Sequence, residues 1–293
     1  MNRKKSFGER AFDIANVSIL TLLCFCTLYP ILYIIFGSLS DSVLLVRHSG
    51  FLYKPVGFSW DAYSMVLKNP MIGIGYRNTL FILVVGTFIN VALTSLGAYC
   101  LSRRNVLFTK PILMMIVFTM FFNGGLIPTF MVVKNLHMVD TLWSVIIPTA
   151  ISAYNLIVMR TFFLSLPDSL EESAKMDGAN EYTVLFRIVL PLSMPVVAVM
   201  ILFYAVGHWN AFLNALIYLN DRDKFPLQLV LREILIQNST DNMTTDTASL
   251  DAAAVAQSIK YSTIVIATVP ILFIYPFLQR YFTKGVLIGA IKE

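Results

Sequence analysis

Charge is scarce in this chain. Asp, Glu, Lys and Arg make up 13% of its 293 residues, where an ordinary soluble domain carries roughly 25%. Hydrophobic residues reach 57%, so water alone is excluded as the solvent. Cysteine is nearly missing: Cys24, Cys26 and Cys100 all fall in apolar runs, and two cysteines two apart on a helix face different ways. They read as small apolar residues and imply no disulfide framework. Histidine is as sparse, and His48, His137 and His208 have neither metal-ligand spacing nor a serine-and-acid pattern around them. No Gly-x-x-x-x-Gly-Lys-Ser/Thr phosphate loop occurs, so no nucleotide cradle of that kind is present and no cofactor or metal is expected on this chain.

What is abundant is long apolar runs. They lie at about 14–37, 79–101, 112–133, 142–164, 195–219 and 262–282, each enough to cross ~30 Å of hydrocarbon at 1.5 Å per residue. Without water to satisfy the backbone, such segments must be helices. The expected fold is an all-α membrane protein, a six-helix bundle forming one domain over 1–293, with loops at 38–78 and 220–261 on one side. Arg3, Lys4, Lys5 and Arg10 precede the first run, but that run exceeds a signal-peptide core and no small-residue cleavage site follows promptly, so it is kept as a span.

Lys and Arg near span ends set orientation. With the amino terminus inside, the inner face carries Arg3, Lys4, Lys5, Arg10, Arg103, Arg104, Lys110, Arg160, Lys175, Arg187, Arg280, Lys284 and Lys292, against nine basic residues outside that lie mostly on the two long loops. Both termini are therefore expected in the cytoplasm. The net charge of +5 needs no nucleic-acid partner to explain it.

Two spans carry irregular features. Asn123, Gly124, Gly125 and Pro128 break the third, either to line a pathway or to allow close packing through small residues. The fifth holds Tyr204, His208, Trp209, Asn210 and Asn214, polar groups that belong toward a bundle interior. Tyr204, His208 and Ala211 fall on one stripe, which suits either a sugar contact or interhelical hydrogen bonding.

Between spans four and five the chain turns polar, over 165–194. Ser169 followed by Glu172 reads as a capping box opening a short helix. Gly178 suits the left-handed residue that ends it, and Asn180 caps a second helix from Glu181. Tyr182, Leu185, Phe186 and Val189 then form an apolar stripe before Pro191 stops the run. Lipid headgroups or a protein groove must cover that stripe, and the charges at Glu171, Glu172, Lys175 and Asp177 suit a protein.

This segment resembles the EAA loop of inner-membrane subunits of ATP-binding-cassette importers, with Glu172, Ser173 and Ala174 as the triplet and Ser173 in place of the usual alanine. Asp177, Gly178, Ala179, Phe186, Ile188, Leu190, Pro191 and Pro195 also match in spacing. Phe122 to Pro128, the Trp209–Asn210 pair and Lys284 to Lys292 resemble carbohydrate-uptake permeases of the maltose-transporter type, closest to the smaller six-span subunit and to a branch handling acidic oligosaccharides of pectin or alginate.

The resemblance implies a type I importer (MetI-like) fold in a bacterial inner membrane. It also implies a second homologous permease as heterodimer partner, two cytoplasmic ATPases that carry the ATP and magnesium, an extracytoplasmic solute-binding protein and an oligosaccharide cargo. The turn at Gly178 would enter a cleft on the ATPase, with Glu172 meeting an arginine there and Glu171, Ser173, Ala174, Asp177, Ala179, Tyr182, Phe186 and Pro191 completing the coupling surface. Tyr204, His208, Trp209, Asn210, Ala211, Asn123 and Gly124 would stand along the pathway, although the larger subunit of such pairs supplies most sugar contacts. The 220–260 loop would reach into the solute-binding protein or else stay a solvated connector. Importers of another small solute, a polyamine or phosphate, share the motor motif. A stand-alone secondary transporter is disfavoured by the lack of ionisable residues within the spans, and a membrane enzyme by the lack of acid, base or ligand clusters at their ends.

Overall fold

The computed structural model describes residues 7–103, 106–244 and 254–273. In chain order the helices are α1 (Phe7–Ser38), α2 (Ser42–Arg47), α3 (Asp61–Lys68), α4 (Pro70–Ser102), α5 (Thr109–Phe121), α6 (Leu126–Asn135), α7 (Trp143–Ile146, continued as a 3₁₀ turn to Thr149) and α8 (Ala153–Phe163). They continue with α9 (Asp168–Met176), α10 (Glu181–Val184, running through a π turn at Leu185–Val189), α11 (Leu190–Leu192), α12 (Met194–Asn210), α13 (Leu213–Tyr218), α14 (Leu227–Thr244) and α15 (Ala254–Phe273). Among the described residues, α1, α4 and α15 are each long and apolar enough to cross a bilayer alone. Three more crossings are available as bent pairs, α5–α6, α7–α8 and α10/α11–α12, bent by 115°, 50° and 86°.

Contacts divide the chain into two compact units, one through Asn69 with Leu231–Val269 and the other Pro70–Val230 with residues from Pro270. In the first, Gly37 lets α1 meet α15: a Cβ there would sit 2.8 Å from the Tyr261 ring, which also packs edge-on against Tyr33. Asp41 caps α2 through the amides of Val43 and Leu44. The apolar window of α1 is otherwise wholly exposed, as befits a face toward lipid.

The second unit is built on α4, with α8 and α12 along it. Its core joins Ala98, Tyr99, Met159, Phe163, Met200 and Tyr204. At one end a clamp fixes the chain after α13. Asp140 accepts from the amides of Asn220 (3.1 Å) and Asp221 (3.0 Å) and pairs with Lys224 at 2.9 Å. The Lys224 bond, then the Asp221 amide, draws the Asp140 carboxyl down to about 2, and the same bond to Asp140 raises Lys224 above its ordinary value. Asn78 donates to the carbonyls of Asp223 and Phe225, and Thr79 accepts from Leu227, so α4 holds this segment as well.

Several expectations need correcting. The fifth span does not run unbroken over 195–219: α12 ends at Asn210, and α13 is a separate helix after Ala211 and Phe212. The 220–260 stretch is not simply a loop, because α14 begins at Leu227 with Leu227, Leu229 and Val230 buried. Pro191 does not stop its helix. Leu190 bonds five residues back to Leu185, a widened turn that accommodates the proline ring, and the bend comes at Ser193, ahead of Pro195, which has no N–H for the carbonyl four back. The far end of the sixth span and the Lys284 to Lys292 match lie outside the described residues.

Candidate functional site

The polar segment folds as an elbow. Helix α9 starts at Asp168 with Pro167 in the cap position, so Ser169 sits inside the first turn and makes no cap bond, correcting the expected capping box. Proline presets the entry dihedral there, and the acids Asp168 and Glu171 in the first turn favour the helix dipole. Gly178 takes φ +82°, and the Asn180 side chain accepts from the Thr183 amide at 2.8 Å to open α10. These turn and cap residues behave as read from sequence.

The elbow is bolted to the spans. Ala174, Val184, Leu185 and Val189 are buried in the core with Ala98 of α4 and Phe163 of α8, and Ala179 packs against it. Glu171 pairs with Arg103 at the end of α4 and with Lys175 (2.9 Å). Lys175 also reaches Glu181 (2.8 Å), whose carboxylate accepts from the Tyr99 hydroxyl at 2.6 Å, while Arg103 lies over the Tyr99 ring. Arg160 of α8 donates to the Leu101 carbonyl at 2.8 Å. Each exposed pair alone is worth only about 0–1 kcal/mol. Here they close a network around buried apolar contacts.

This divides the predicted stripe. Leu185 and Val189 turn inward, whereas Tyr182 and Phe186 stay 70% and 57% exposed beside Met176 at 88%. The adjacent glutamates divide too: Glu171 points into the clamp, and Glu172 is exposed with no ion pair among the described residues. Ser173, Asp177 and Gly178 are exposed as well. The result is an apolar and acidic tip on a braced base.

The second feature is a cavity of about 800 Å³ bordered by α7, α8, α12 and α13. Tyr204, His208 and Ala211 line it together, as their common stripe predicted, with Asn214 of α13 nearby. Tyr204 and His208 also make interhelical hydrogen bonds. The Tyr204 hydroxyl accepts from the Ser152 amide (3.1 Å) and bonds Thr94 (2.7 Å), and the His208 Nε2 meets Asn90 Oδ1 at 2.7 Å. Asn90 donates to the Thr149 and Ala150 carbonyls that the bend of α7–α8 leaves open.

Trp209 is buried away from this lining, edge-on to Tyr76, and Asn210 is exposed and donates back to the Val206 carbonyl. Asn123 accepts from the Gly125 amide at the 115° bend, where Gly125 has φ +87°, and Asn123 and Gly124 are exposed. The structure thus gathers Tyr204, His208 and Ala211 and leaves Trp209, Asn210, Asn123 and Gly124 apart from them.

A family model for the inner membrane component of binding-protein-dependent transport systems matches residues 94–288. The chain belongs to this family. Protein LplC of Bacillus subtilis (strain 168) is 46% identical over 283 residues, covering 97% of this chain and 95% of that one. The polygalacturonan/rhamnogalacturonan transport system permease protein YtcP of the same organism is 42% identical over 286 residues, covering 97% and 99%. A solved bacterial ABC transporter involved in import of the acidic polysaccharide alginate has a chain that superposes with a TM-score of 0.85 at 32% identity, over 96% of this chain and all of that one. The inner membrane component is a permease subunit of an ABC importer, a multi-pass transport part and not an enzyme. Such a permease works with another permease, an ATPase and a binding protein.

Sequence reading missed Arg103, Tyr99 and Arg160 as the elbow's anchors, and Asn90, Thr94 and Asn155 beside the cavity. Asn90 sits in an apolar run as a lone amide, and that rarity in a span was the available signal.

Proposed function

We propose that this permease forms half of an ATP-driven translocation pathway for oligosaccharides bearing uronic acids, and that its elbow is the socketed end that a cytoplasmic ATPase grips. The observation that carries the coupling is the exposed tip of Met176, Gly178, Tyr182 and Phe186, with Glu172 exposed and without an ion pair among the described residues, standing on a base fixed to α4 and α8. Closure of two ATPases around ATP and magnesium would move the tip, and the braced base would carry that motion to the spans. Binding energy then shifts an inward–outward equilibrium through contacts that differ between the two states. Glu172 meets a cation on the ATPase in this reading, and both termini lie on the ATPase side, as the basic residues favour.

The apolar face of α5 and α6, where Met114, Met115, Phe118, Phe121, Ile127 and Val132 are exposed, suits lipid or the second permease. The cargo reading rests on the named relatives for polygalacturonan/rhamnogalacturonan and alginate. Purification of a tagged chain from its native host should recover an ATPase and a second permease, and proteoliposomes of that complex with its receptor should accumulate galacturonate oligomers only when ATP is inside the motor compartment. Uptake by the chain alone, or with no nucleotide, refutes it.

A further inference from the structure

We infer that the cavity bordered by α7, α8, α12 and α13 is a neutral hydroxyl-reading subsite for one sugar ring, with Asn155, Asn214 and the Nδ1 of His208 as its polar contacts. The inference deepens the oligosaccharide reading and rests on it. Asn155 is 6% exposed, lines the cavity, and its side-chain amide has no protein partner among the described residues. That amide reaches the cavity, where water or a ligand hydroxyl can pair with it. Half-buried Asn214 lines the same cavity in the same unpartnered condition.

The state of His208 follows from Asn90. Both protons of the Asn90 amide go to the Thr149 and Ala150 carbonyls, at 2.7 and 2.9 Å, so its oxygen is the atom facing the ring. That oxygen only accepts, and Nε2 must therefore donate. The neutral ring then keeps its lone pair on Nδ1, which has no partner among the described residues and belongs to a residue of the cavity wall. Gly86 makes this placement possible, because a Cβ there would lie 2.6 Å from Nε2.

The wall thus offers one acceptor and two amides, beside the exposed ring of Tyr154 as a flat surface for a pyranose face. Among the described residues no Asp, Glu, Lys or Arg lines the cavity. A carboxylate finds no cation among them, so this wall reads sugar hydroxyls and is indifferent to whether the cargo is acidic.

The test uses the assembled complex in proteoliposomes at saturating receptor, with galacturonate trimer, its methyl ester and maltotriose as probes. Asn155→Ala and Asn214→Ala should each lower uptake of the transported probes about five- to tenfold, the equivalent of one lost hydrogen bond. The loss should be equal for acid and ester, with assembly and receptor-free ATPase unchanged. Should Asn155→Ala fail to assemble, Asn214→Ala decides alone. Loss of acid uptake well beyond ester uptake, or full uptake by the variants, overturns the subsite and leaves the cargo reading standing. A wild-type complex that moves none of the three sugars overturns both, and variants that lose assembly and uptake in parallel make the cavity a packing or subunit contact.

Discussion

Replacing Gly178 isolates the elbow's tip from its base. The residue holds φ +82°, and no heavy atom of the described residues lies within 4 Å of a Cβ built there, so a new side chain meets no steric obstacle among them. The cost is backbone strain alone, about 1–2 kcal/mol for an L-residue in the left-handed region and more for a β-branched one. Since 1.4 kcal/mol is tenfold in an equilibrium, Gly178→Ala should reduce the population of the native turn by roughly 5- to 30-fold relative to its alternatives. Gly178→Val should reduce it further, and Gly178→Asn should do least harm, because Asn visits this region readily. The inner face, held by Leu185, Val189 and the Glu171 pairs, is untouched, so helix content by circular dichroism should stay at the wild-type level. The assay is uptake per ATP hydrolysed in proteoliposomes, and coupling should fall in the order Asn, Ala, Val. Full coupling by the Val variant refutes a role for the turn. Asn as damaging as Val refutes the strain account and assigns the defect to side-chain bulk against the motor.

Three further outcomes follow from the same geometry. Glu171→Gln should loosen the elbow and speed its proteolysis, while Glu172→Gln should leave proteolysis unchanged and weaken ATPase binding in pull-downs; the reverse pattern refutes the division of roles. Leu185→Ala, at 1% exposure, should cost about 2–5 kcal/mol of stability by chemical denaturation, whereas Phe186→Ala should cost little stability and reduce ATPase retention; a similar stability loss for both contradicts the inward–outward split. The Asp140 carboxyl lies below its ordinary 3.8, so its contribution is fully present above about 4 and is lost as pH falls toward about 2. Amide exchange at Asn220 and Asp221 should therefore accelerate, relative to the intrinsic rate, only through that acid window, and unaltered protection at pH 2 refutes the clamp.

Local chemistry made the elbow legible. A glycine forced into the left-handed region and an asparagine cap depend on a few neighbouring atoms, so Gly178 and Asn180 could be assigned from sequence. Which half of the stripe faced inward could not, because the 3.6-residue period gives one face and the core takes only part of it, Leu185 and Val189 and not Phe186. The breaks had uneven signals: Gly124, Gly125 and Pro128 announced the third span's bend, whereas the bend at Ala150–Ser152 carries no glycine and depends on Asn90 and Tyr204 from distant segments. Helix α14 escaped notice because Asp, Asn and Thr downstream dominated the composition, although Leu227, Val230 and Leu231 already showed a helical spacing. Asn155 was invisible because its meaning is an unmet amide, which only the assembled neighbours define.

Asn90 ties three segments with one side chain: it sits on α4, holds two carbonyls at the α7–α8 bend and orients a ring on α12. Straightening that bend would strand an amide, two carbonyls and an imidazole at the same moment, and each polar group that loses its partner costs free energy. Such a joint resists small displacements and yields as a unit, so motion of this part of the bundle is expected in discrete steps rather than as gradual flexing.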